Sequence, residues 1–129
     1  MAEMSIKKKR PKNLDLTTIR LPLPGKVSIL HRVSGAGLFL CLPVMLWLFG
    51  ASLGSPESFA FFQSLAGMLP VKVVFAGLLW AFVHHFCAGI RFLLLDLHVG
   101  IEKEAAGKSA AVVFAVSIPL TLILWGVLL

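Results

Sequence analysis

The stretch Val71 to Leu97, VKVVFAGLLWAFVHHFCAGIRFLLLDL, constrains this chain more than any other. From Val73 to Leu95 it is long and apolar enough to cross a bilayer, which takes about 20 residues. In hydrocarbon the backbone must satisfy its own hydrogen bonds, so such a segment has to be a helix. Yet it contains His84, His85 and Arg91. Ionisable groups at membrane depth cost about 2.5 kcal/mol or more, and they mark functional sites by default. Histidine is also the commonest side-chain metal ligand.

The rest of the chain supports a membrane reading. Of its 129 residues, 58% are hydrophobic and only 14% charged, with a mean hydropathy of +0.93. A soluble domain is about 25% charged. Three spans fill a chain of this length and leave no room for a second soluble domain. The net charge of +6 is uneven, with eight of the twelve Lys and Arg in residues 1–32. Such clustering describes orientation and contact with membrane lipid, not nucleic-acid binding. Cys41 and Cys87 both fall in apolar spans, so neither a CxxC pair nor a disulfide framework is indicated.

Residues 1–27 read as a basic cytoplasmic arm, and 28–129 as a three-helix transmembrane domain with helices at about 28–53, 71–97 and 110–129. The basic run Lys7 to Arg10 is followed by Asn13, Asp15, Thr17, Thr18 and Arg20, not by the apolar core of a signal peptide. Pro22 and Pro24 are expected to keep helix from forming before Gly25. In the first span Ser34, Gly35, Ala36 and Gly37 make a small-residue patch where another helix or a flat cofactor can approach closely. Residues 54–70 read as a loop free of Lys and Arg, and 98–109 as a short polar loop. The distribution of Lys and Arg puts the N-terminus inside and both the 54–70 loop and the C-terminus outside.

Two constellations stand out. A rise of 1.5 Å per residue puts His85 roughly 18 Å from Leu97, near mid-membrane, with Arg91 roughly 9 Å closer to the cytoplasm. Gly89, one turn from His85, leaves room beside its ring. A haem has this polarity, with iron at its centre and anionic propionates at one edge. The first span supplies Ser28, His31 and Arg32 at its cytoplasmic start, on one helix face. A hydroxyl, an imidazole and a guanidinium offer donors to a carbonyl or carboxylate at the apolar boundary. His84 points about 100° away from His85 and reads as structural; His31 and His98 read as lying near the inner surface. A six-coordinate haem therefore needs its second ligand from another chain. The bland alternatives are a helix-bonding histidine, an Arg91 that snorkels to headgroups, an Arg32 that only fixes orientation, and a Ser28 that only caps its helix.

The chain resembles the cytochrome b membrane-anchor subunit of succinate dehydrogenase (succinate:quinone oxidoreductase, respiratory complex II). The resemblance rests on R-P-x-N-L-D-L at Arg10 to Leu16, S-x-x-H-R-x-S at Ser28 to Ser34, and H-x-x-x-G-I-R-F at His85 to Phe92 with Asp96 following. It implies an all-α integral membrane protein in a bacterial inner membrane, part of a haem-binding bundle completed by a second anchor subunit. It implies that His85 is the axial ligand of haem b, that His31 and Arg91 lie near the propionates, and that Ser28 and Arg32 help bind ubiquinone. It further implies an iron–sulfur subunit and a flavoprotein subunit as partners, with succinate oxidised there. The chain has no flavin or nucleotide fingerprint and no cysteine cluster of its own.

Two rival functions stay open in the residues alone. One is a small non-redox transporter or channel subunit with an intramembrane histidine. The other is the anchor of a related quinol:fumarate reductase. The topology is directly testable: reporter fusions after Phe62 and at the C-terminus are both expected to report the outer side. A cytoplasmic signal from either excludes this arrangement.

Overall fold

The computed structural model describes Lys12 and residues 15–128. Within them the chain forms helix α1 (Leu23–Gly54), α2 (Pro56–Gly67), α3 (Leu69–Asp96) and α4 (Lys103–Leu128). Three of these, α1, α3 and α4, are long and apolar enough to cross a membrane. The motif at Arg10 to Leu16 lies largely outside the described residues. Its end forms a side-chain-locked turn, in which the Thr17 N–H and hydroxyl both donate to Asp15 Oδ1, at 2.9 and 2.6 Å. These bonds, the hydroxyl's first, hold the Asp15 carboxyl below its ordinary pKa.

The helix boundaries differ from the sequence expectation for local reasons. α1 starts at Leu23, so Pro24 sits inside its first turn. There its missing N–H has no intrahelical acceptor to lose, and its fixed φ suits a helix. α4 begins at Lys103, seven residues early, with an i,i+4 ion pair from Lys108 to Glu104 at 2.7 Å in its polar first turns. α2 replaces most of the expected 54–70 loop. Ser55 caps it through the Ser58 N–H, and Ser58 Oγ accepts from the Ser55 N–H at 2.8 Å. The Ser58 hydroxyl also lies 2.8 Å from the Ala51 carbonyl, tying α2 to the end of α1. The run Ser55-Pro56-Glu57-Ser58 carries the start signals of a helix, a capping serine with proline and an acid in the first turn.

α3 ends in a Schellman motif. The His98 N–H donates to Leu95 O at 2.9 Å and the Val99 N–H to Leu94 O at 3.0 Å. His98 takes the left-handed conformation this requires, at φ 60°, and Gly100 follows at φ 71°. Two such residues reverse the chain into α4 within a few positions.

The starts of α1 and α4 and the end of α3 therefore share one end of the bundle, the arm end; α2 closes the other. At the arm end Val27, Ala88, Ala110 and Val113 form a buried cluster joining all three spans. The two alanines let backbones approach. Elsewhere the spans carry their apolar side chains outward: Phe39, Leu40, Phe49, Leu93, Leu122 and Val127 are each more than half exposed. In water this would be an aggregating surface; in a bilayer it faces lipid or partner helices.

Candidate functional site

His85 projects from α3 against α1. Its Nδ1 lies 2.9 Å from the His31 carbonyl oxygen and 3.2 Å from Ser34 Oγ. A carbonyl can only accept, so Nδ1 carries the proton, and the lone pair is left on Nε2. The Ser34 hydroxyl donates to the same carbonyl at 3.0 Å, which leaves its oxygen free to accept from Nδ1–H. Among the described residues Nε2 has no hydrogen-bond partner. His85 borders an otherwise largely apolar cavity of about 790 Å³, lined on α1 by Leu38, Phe39 and Leu42 and on α3 by Phe75, Leu78 and Phe82.

Gly35 makes this arrangement possible. A Cβ there would stand 2.7 Å from His85 Cε1 and 3.2 Å from Nδ1. Gly89 does less for His31: a Cβ on it would meet Nε2 at 3.7 Å, an ordinary contact. The His31 and His85 rings stack with centroids 4.0 Å apart and planes 11° from parallel. Phe92 abuts His31 at 5.0 Å. The extra turn at the start of α1 is what brings His31 to this depth. From Leu23 it lies roughly 12 Å along the helix, and His85 lies roughly 16 Å from Asp96. His31 thus joins His85 instead of staying near the surface. Stacked face-to-face on His85, the His31 ring would not be placed to offer a nitrogen across from His85 Nε2 to a shared group.

His84 and Arg91 belong to the opposite side of α3. Seven residues apart, they share a face with Ala88, roughly 120° from His85 in the case of Arg91. His84 is fully buried between Trp80 and Phe114, at 5.1 and 5.3 Å between ring centroids, with neither nitrogen hydrogen-bonded. Arg91 neither snorkels to the surface nor reaches His85. It is 6% exposed, its Nε donates to Ser109 Oγ at 2.9 Å, and its Nη2 donates to Ala106 O at 3.2 Å.

Ser28 and Arg32 sit one turn apart on α1, half-buried and exposed respectively. Neither side chain has a hydrogen-bond or ionic partner among the described residues, so both keep their donors for an external group. The sequence alone did not single out Ser34 and Gly35 as the positions against which His85 packs. The signal for Ser34 was its place three residues after His31 in S-x-x-H-R-x-S; Gly35 showed only as part of a small-residue patch.

Among the described residues no three His, Cys, Asp or Glu side chains converge on one point. A lone imidazole cannot chelate a bare ion, but it suffices for a metal already held by a macrocycle.

Comparison with known proteins gives the chain a family. Residues 6–124 match the model of the family described as succinate dehydrogenase/fumarate reductase transmembrane subunit. The chain is 40% identical over 112 residues to the succinate dehydrogenase cytochrome b556 subunit of Coxiella burnetii, covering 84% of this chain and 88% of that one. It is 32% identical over 114 residues to the subunit of the same name from Paracoccus denitrificans, covering 88% of each. A cytochrome b560 subunit from Reclinomonas americana is 29% identical over 122 residues, 90% of this chain and 84% of that one.

The contact between α1 and α3 can be tested without reference to any cofactor. Gly35→Ala must displace the His85 ring, and overpacking of this kind costs about 1–3 kcal/mol. Gly37→Ala, where nothing lies within 4 Å, is expected to be neutral or slightly stabilising. The thermal unfolding midpoints of the two purified variants are the measurement.

Proposed function

The chain belongs to the succinate dehydrogenase/fumarate reductase transmembrane subunit family, and from that premise we propose that it binds haem b through His85 and helps to bind ubiquinone through Ser28 and Arg32. The coarser statement needs no proposal: it is a multi-pass inner-membrane subunit of an oxidoreductase complex. The observation that carries the haem reading is the bond from His85 Nδ1 to the His31 carbonyl. It fixes one tautomer and one ring orientation, and metal-binding histidines almost always donate their other N–H in this way. The close fit of Gly35 against the ring and the apolar cavity beside it also suit a large flat group.

Bound haem supplies a centre that accepts and releases one electron at a time. His85 would hold such a centre through its Nε2 lone pair while Nδ1 stays hydrogen-bonded. His31 packs on the His85 ring and restricts its rotation. For Arg91 to reach a propionate on the His85 side, its guanidinium would have to leave Ser109 and Ala106; His31 is already on that side. A second imidazole for the haem would have to come from a partner anchor subunit, because the His31 ring is stacked and His84 is enclosed by Trp80 and Phe114. Iron–sulfur and flavoprotein subunits deliver the electrons, and they dock at the arm end, which is cytoplasmic in this reading.

Ser28 and Arg32 offer a hydroxyl and a guanidinium at the boundary of the first span. A quinone carbonyl gains negative charge on reduction. Fixed donors therefore stabilise its reduced forms more than the oxidised one. The arm end also gives access to the protons that quinol formation consumes.

Two measurements test the two halves separately. His85→Leu is expected to abolish or shift the reduced-minus-oxidised b-type spectrum of the assembled complex, while His84→Phe leaves ligation intact. The reverse pattern would make His84 the ligand, and no change from either would end the haem reading. A hydrogen bond to a charged group is worth about 1.5–3 kcal/mol. Arg32→Gln should therefore lower the ratio of quinone-linked to dye-linked succinate oxidation by roughly tenfold or more. An unchanged ratio would leave Arg32 as an orientation signal only.

A further inference from the structure

We propose that Arg91 and the apolar slot beside it bind one anionic phospholipid at the arm end of the bundle. Arg91 is a buried cation whose two hydrogen bonds both go to neutral oxygens, on Ser109 and Ala106. Arg91 has no counter-ion among the described residues. The Phe92 ring, 5.3 Å from Cζ, offers a weak substitute. A buried charge without a partner is costly, and donors of this guanidinium remain free, so the site calls for an anion.

The shape of the site says which kind. Arg91 and Ser109 are the polar side chains lining a cavity of about 360 Å³ whose other side chains include Ile90, Leu94, Val112 and Val116. All four are exposed on the bundle surface, so the slot opens sideways, where hydrocarbon lies. One buried cation at the head of an open apolar slot matches a molecule with one anionic head and acyl chains. The depth agrees as well. Arg91 is five residues from the end of α3 and Ser109 six from the start of α4, roughly 8–9 Å below helix ends that extend into the headgroup layer. A partner carboxylate is the competing counter-ion. In the haem reading, on which this one point rests, the second anchor subunit sits on the His85 side of α3 and leaves the α3–α4 groove to lipid.

The test uses the whole complex in nanodiscs of mixed phosphatidylglycerol and phosphatidylcholine, followed by a delipidating detergent wash and native mass spectrometry. Wild type is expected to retain one phosphatidylglycerol, enriched at least fivefold over phosphatidylcholine. Arg91→Gln removes the cation and Val112→Trp fills the slot while leaving the cation; each is expected to lose that lipid. The b-type spectrum of Val112→Trp reports that the complex is still assembled, and that variant decides alone if Arg91→Gln fails to assemble. Excess inorganic phosphate should leave wild-type occupancy unchanged. No retained lipid in wild type, retention by either assembled variant, or displacement by free phosphate overturns the proposal. A wild-type complex with no b-type spectrum would instead count against the haem reading, whatever its lipid content.

Discussion

The bond from His85 Nδ1 to the His31 carbonyl, 2.9 Å long, joins the two helices on which everything else in the site depends. It forms because Gly35 lacks a Cβ and lets the imidazole lie against the α1 backbone. Interhelical hydrogen bonds inside membranes contribute only about 0.6 kcal/mol on average. Its importance is therefore directional. It sets which nitrogen holds the proton, where the other lone pair points, and which face of α3 is turned to α1. Stability comes from elsewhere, chiefly the small-residue cluster at the arm end and the lipid or protein that covers the exposed apolar side chains.

Once α3 is turned so that His85 meets α1, its neighbours have no freedom. His84, one residue back, must face α4, and it is enclosed by Trp80 and Phe114. Arg91, seven residues beyond His84, must follow it to the same side and finds Ser109 and Ala106. One helix thus separates two kinds of chemistry: an oriented, partly open imidazole on one face and a buried guanidinium on the other. In the readings proposed here, the rotation of α3 would keep a haem on one face and an anionic lipid on the other.

The ends of the bundle differ in the same way. The arm end gathers the exposed Arg32, the half-buried Ser28, the buried Arg91 and the polar first turns of α4. The far end is closed by α2, where Trp47 meets Phe61 edge-on at 5.9 Å and Glu57 is the acid of the first turn. Bonds to its own backbone N–H and then to Ser55 hold the Glu57 carboxyl below its ordinary pKa. Proton and electron exchange with soluble partners belongs at the polar end in the function proposed here.

By itself the sequence determined that this is an all-helical membrane chain with three spans, because about 20 consecutive apolar residues permit no other backbone arrangement in hydrocarbon. It also determined the motifs around Ser28–Ser34 and His85–Phe92 that carry the family resemblance. Spacing along one helix gave their depths. It did not give azimuth relative to neighbouring helices, since that is fixed by contacts between residues far apart in the chain. Hence Arg91 was expected with His85 and stands with Ser109, while His31 was expected at the surface and stacks on a ring 54 positions away. The start of α4 at Lys103 was hidden by its charges, although helix continues readily past the membrane boundary into water. Only the packed structure decided that Ser34 and Gly35 orient the histidine, because a hydroxyl and a missing methyl acquire a role only from what is brought against them.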